Sequence, residues 1–171
     1  MCIRDRDNPT AGGVGSRIDV LEYVFKNKIE NTLFAGIYNE EIFRELKNKK
    51  NKIVIKDSIS KKKISISIDK FYLKNDNAIV ISNNNTVIFT KYRKPFHYLS
   101  DFRELNINLK KYKILIVKSG YLSPELKKLK ADNFMILTDG FVTQDFKRIK
   151  NLFREKPIYP FQKNFRYNIA I

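Results

Sequence analysis

The sequence has no tryptophan, one cysteine, one histidine, six glycines and five prolines in 171 residues. A lone Cys2 excludes an intrachain disulfide and any cysteine-rich metal site, and it suggests a reducing compartment. No run approaches the roughly 18 apolar residues of a membrane span, and the N-terminus has no apolar secretory core. The expectation is a cytoplasmic protein with no membrane partner.

Arginine is also scarce beside lysine, although the two together give a net charge of +16 against 18 acids. Such a charge raises nucleic acid as a partner. Lysines are spread through nearly every expected element, however, and readers of bases and phosphates favour arginine. Abundant lysine, asparagine, isoleucine and phenylalanine without tryptophan is what an AT-rich coding bias produces. Composition therefore argues against a dedicated nucleic-acid site. The length fits one domain with a real core.

Half of the glycines lie in one stretch, Asp7-Asn8-Pro9-Thr10-Ala11-Gly12-Gly13-Val14-Gly15-Ser16. Glycine opens backbone conformations closed to other residues, Pro9 fixes one dihedral, and Ser16 can accept a free amide of a following helix. A loop so built can grip an anion or a carbonyl oxygen; a tight turn explains it equally well. It is neither a Walker loop, since the phosphate-reaching lysine is missing, nor a dinucleotide fingerprint, since Ile18 occupies the third glycine position.

Downstream, the spacing of Ile18, Leu21, Val24 and Phe25 predicts an amphipathic helix over 16–28. A buried strand over 31–37 ends in Gly36, and a second helix follows, capped by Asn39 with Glu40 and Glu41 in its first turn. Isoleucine- and valine-rich strands are expected at 52–56, 63–73, 78–82 and 86–92, with hairpin turns at the asparagines of 75–77 and 83–85. Ser100 or Asp101 could cap a short turn. Residues 112–117 and 133–138 read as buried strands flanking a helix that opens at Ser123-Pro124-Glu125, and a short helix is expected near 145–152. Strand, helix, strand at this spacing implies a right-handed parallel crossover. The expected fold is a three-layer α/β domain, its mixed sheet combining parallel crossovers with an antiparallel section.

Open sheets bind ligands at the carboxyl ends of parallel strands, here Lys118 to Tyr121 and Thr138 to Gly140. His97 lies in the aromatic segment Lys94-Pro95-Phe96-His97-Tyr98. A lone histidine there is more often a packed structural residue than a catalytic one.

The order of these motifs resembles the C-terminal domain of the microcystin degradation protein family, the MlrC-like zinc metallopeptidases. The resemblance rests on Asp7-Asn8-Pro9 with Gly12, Gly13 and Gly15, on Arg93-Lys94-Pro95-Phe96-His97 leading to Asp101-Phe102, and on Val117-Lys118 with Gly120-Tyr121-Leu122 and Pro124-Glu125-Leu126. Leu137-Thr138 with Gly140, and Pro157-Ile158-Tyr159-Pro160-Phe161, complete it. Thr10 and Ala11 stand where the family usually has glycine, Val14 where it has proline and Ser16 where it has aspartate. Residues 1–6 look like translated adapter sequence, a non-native leader, so the family-like domain would run over 7–171.

The resemblance implies hydrolysis of peptide or amide bonds by zinc-activated water in the intact protein, with the zinc and catalytic centre in a larger N-terminal domain. That domain and a peptide-like substrate are the implied partners. A catalytic zinc takes about three protein ligands, commonly histidines among them. With one histidine, this chain is assigned no metal ligand and no catalytic residue, and alone it should be inactive. Asp7, Asn8, Gly12, Gly13 and Gly15 are expected to face the cleft, orienting substrate or groups behind the metal ligands; His97, Lys118 and Tyr121 are candidates for substrate contact. Two readings from other classes stay open. One is a non-catalytic basic module binding nucleic acid or another polyanion, and the other is a structural or dimerising domain. Homo-oligomerisation is not decided by the sequence.

Overall fold

The computed structural model describes residues 18–48, 51–57, 61–117, 123–129 and 131–134. Expectations that fall elsewhere, including the glycine-rich stretch, most of 133–138 and the helix near 145–152, lie outside the described residues.

The chain opens with α1 (Asp19–Lys26), which buries Leu21 and Val24 and leaves Tyr23 in solvent. Strand β1 (Thr32–Tyr38) follows, buried along almost its whole length. Helix α2 (Glu40–Lys47) starts where Asn39 Oδ1 accepts the Ile42 amide at 3.3 Å, and its acids and bases sit at the ends the helix dipole favours. Strands β2 (Lys52–Lys56) and β3 (Lys63–Ser67) form an antiparallel ribbon. Strands β4 (Lys70–Lys74), β5 (Asn77–Ser82) and β6 (Asn85–Thr90) form a meander. Helix α3 (Leu99–Arg103), a 3-10 turn at Leu109–Lys111, β7 (Ile114–Val117) and α4 (Pro124–Lys127) complete the described elements.

The main sheet runs β4-β5-β6-β1-β7. Its β6, β1 and β7 members are parallel, and the β4–β6 part is antiparallel. The connection from β6 to β7 carries α3 and steps over β1, a parallel crossover. One face packs Phe34, Ile37, Val80, Val87 and Phe89 against α1, α2 and the ribbon. The other packs Leu33, Ala35, Ile79 and Ile88 against Phe96, Phe102, Leu105 and Leu126. The fold is thus the expected three-layer α/β arrangement with a mixed sheet.

The ribbon survives by docking. Two strands alone are marginal in water, but Ile53, Ile55 and Ile66 are fully buried beneath it, and each such side chain contributes about 1.5–3 kcal/mol.

The structure corrects the sequence reading in three places. Residues 63–73 are two strands in different sheets, because the chain leaves the ribbon at Ile68, whose amide donates to the Asn51 carbonyl. It then joins the main sheet at Asp69, whose amide donates to Ile81. The first strand does not end at Gly36 but bulges there, with φ +86°, and continues to Tyr38. The extra residue switches the alternation, so Ala35 and Ile37 face opposite layers. Helix α1 starts at Asp19 with no side-chain cap from Ile18. Asp101, the third residue of α3, caps the helix as expected, its Oδ2 accepting the Tyr98 amide at 2.9 Å. Both asparagine turns hold as expected, with Asn75, Asp76, Asn83 and Asn84 at positive φ, as tight hairpins require.

Candidate functional site at the carboxyl edge

Three parallel strands point their carboxyl ends at one edge of the sheet. At the end of β6 the chain crosses over the end of β1 through residues 91–98. The crossing is close. A Cβ on Gly36 would meet Phe96 Cδ2 at 2.9 Å and the Lys94 carbonyl oxygen at 3.2 Å. Phe96 is buried against Phe102, their ring centroids 5.4 Å apart, and this anchors the segment.

Asp101 fixes the backbone just beyond this anchor. Its side chain is 11% exposed, and Oδ2 accepts the amides of His97 at 3.0 Å and Tyr98 at 2.9 Å. Oδ1 meets Lys94 Nζ at 3.2 Å. Hydrogen bonds to an ionised carboxylate are stronger than those between neutral groups. From the other side, Ser123 Oγ donates to the His97 carbonyl, and the Leu99 amide donates to Glu125 Oε2 at 2.7 Å. His97 therefore rides on a backbone fixed at both its amide and its carbonyl.

Around the edge, on the α2 side, lies an open cleft of about 580 Å³ lined by Tyr38, Asn39, Glu40, Glu41, Arg44, Lys56, Asp57, Lys61 and Lys63. The guanidinium of Arg93 sits 5.4 Å from the centre of the Tyr38 ring, a cation–π contact joining the crossing segment to the rim. Asp57 is 3% exposed. Its Oδ2 accepts the Ile18 amide at 3.1 Å, and its own amide donates to Lys62 at 2.8 Å. Ile18 is the first described residue after the glycine-rich stretch, so the chain enters the described fold pinned at this cleft.

Of the sequence-predicted site residues, His97 is placed at this edge. Asp7, Asn8, Gly12, Gly13, Gly15, Lys118 and Tyr121 lie outside the described residues. Among the described residues no three His, Cys, Asp or Glu side chains group to hold a metal ion. Sequence reasoning missed Asp57, the Lys94–Asp101 pair and the Ser123 and Glu125 contacts.

A family model for the MlrC C-terminus matches residues 57–151, more than half of the 171-residue chain. The chain belongs to the MlrC C-terminal family. No curated protein matches it. The MlrC match begins at Asp57 and takes in β3 to β7, the crossing segment with His97, α4, Lys118 and Tyr121. A C-terminal MlrC domain implies an N-terminal partner domain in the intact protein. Among the described residues, no helix is long and apolar enough to cross a membrane.

Proposed function

We propose that this chain is the C-terminal domain of an MlrC-like zinc metallopeptidase and that its carboxyl edge faces the catalytic domain, helping to hold a peptide-like substrate. The observation that supports this reading is the Asp57–Ile18 bond of 3.1 Å, which fixes Ile18, two residues beyond the glycine-rich stretch in sequence, beside the cleft. In this reading Asp7 and Asn8 orient substrate or the groups that support the metal ligands, as outer partners of metal sites do. Gly12, Gly13 and Gly15 allow close backbone approach. His97 contacts substrate from the crossing segment, and Lys118 and Tyr121 are further substrate contacts. Zinc, held in the partner domain, would supply the activated water. The test is the intact protein: peptide hydrolysis lost on chelation and restored by zinc, with none from the 171-residue chain. Hydrolysis indifferent to chelation, or none from the intact protein across a panel of peptides, overturns it.

A further inference from the structure

The cleft beside Asp57 brings Arg44, Lys56 and Lys63 around one concavity. Lys56 and Lys63 stand directly opposite each other across the β2–β3 ladder, and both are exposed. Like charges so placed destabilise a ribbon. Lys61, in the same wall, holds left-handed backbone at φ 59°, a conformation that strains a residue with a side chain. Arg44 projects from the α2 wall, and Arg93 adds a further cation at the rim through Tyr38.

Three acids line the same cleft. Asp57 is buried and bonded to the Ile18 amide, while Glu40 and Glu41 occupy the first turn of α2, where the helix dipole favours them. None of Arg44, Lys56 and Lys63 has an ion-pair partner among the described residues. The opposed Lys56–Lys63 pair is a cost to the ribbon that an anionic occupant of the cleft would offset. At about 580 Å³ the cleft is of small-ligand size.

We propose that this cleft binds an oxyanion, the carboxylate or phosphate of a small multiply charged ligand, through Lys56, Lys63 and Arg44. The inference does not depend on the peptidase reading. Lysine ammoniums are mobile point charges, so selection is by charge more than by planar geometry, and binding weakens as salt screens it.

The test is calorimetric titration of the 171-residue chain at low salt with inorganic pyrophosphate and with an acetylated, amidated Glu-Glu dipeptide, the Gln-Gln dipeptide serving as uncharged control. Saturable one-to-one binding of a charged ligand, absent for Gln-Gln, is expected. K56Q/K63Q should weaken it about tenfold, the scale that losing two exposed charge contacts allows. R44Q, at an exposed position, should weaken it without touching the ribbon, and K111Q/K113Q, exposed lysines outside the cleft, should leave it unchanged. Preference for pyrophosphate would identify a phosphate ligand and preference for Glu-Glu a carboxylate. Absence of saturable binding by either, or equal weakening in K111Q/K113Q, overturns the proposal.

Discussion

The Asp57 carboxylate accepts the Ile18 amide at 3.1 Å, joining positions 39 residues apart in sequence. Both groups are buried, Asp57 at 3% and Ile18 at 2% exposure. Removing the acceptor leaves a buried amide without a partner, which costs about 1–3 kcal/mol. Asp57→Ala should lower the stability read from urea unfolding by that amount at unchanged slope, and Asp57→Asn, which keeps an acceptor, by less. Hydrogen exchange at the Ile18 amide should accelerate in the alanine variant. An unaltered midpoint would show that the bond does not hold the start of α1.

Gly36 is the second structural hinge of the site. Its φ of +86° and the 2.9 Å approach of Phe96 leave no room for a side chain. Gly36→Ala should destabilise the chain by about 1–2 kcal/mol from backbone strain alone, with more from displacing Phe96. Thermal or urea unfolding reads it directly, and a neutral result would mean that the bulge is not needed.

Asp101 gathers two amides and Lys94. Asp101→Ala should cost about 1–3 kcal/mol through the orphaned amides of His97 and Tyr98. Lys94→Met, which deletes only a half-exposed charge, should cost under about 1 kcal/mol. Comparable losses from the two would place the stabilising weight on the ion pair instead.

Tyr72 offers a pH handle. Burial first, and the neighbouring Tyr112 second, raise its pKa above the usual 10.0. The folded state therefore prefers the neutral phenol. This contribution is intact below pH 10 and is lost as pH rises from there through the folded value. Stability should fall more steeply above pH 10 in the wild type than in Tyr72→Phe. The variant also loses the Tyr72 hydroxyl bond to the Leu105 carbonyl, 3.1 Å long. Parallel alkaline profiles would contradict the assignment.

Much of the fold was legible because local signals and burial agreed. The apolar run at β1, the Asn39 cap and the asparagine hairpins each placed an element within a residue or two. The alternation of Ile64, Ile66 and Ile68 breaks at Asp69-Lys70, a mark that the chain changes course there, but which sheet each half joins is decided by the distant carbonyls of Asn51 and Ile81. The candidate site was legible only where the family motif marked it, at His97. Asp57 and Gly36 act through partners far away in sequence, Ile18 for one and Phe96 for the other, and no local pattern announces them.

The placement of the glycine-rich stretch at the catalytic cleft is tested by the turnover of Asn8→Ala in the intact protein or a full-length homologue, with bound zinc and melting temperature followed in the same preparation. A fall of about 10- to 100-fold in kcat, the scale for groups that support a metal site, with folding and zinc unchanged, is the predicted result. Wild-type kinetics in that variant would contradict the placement.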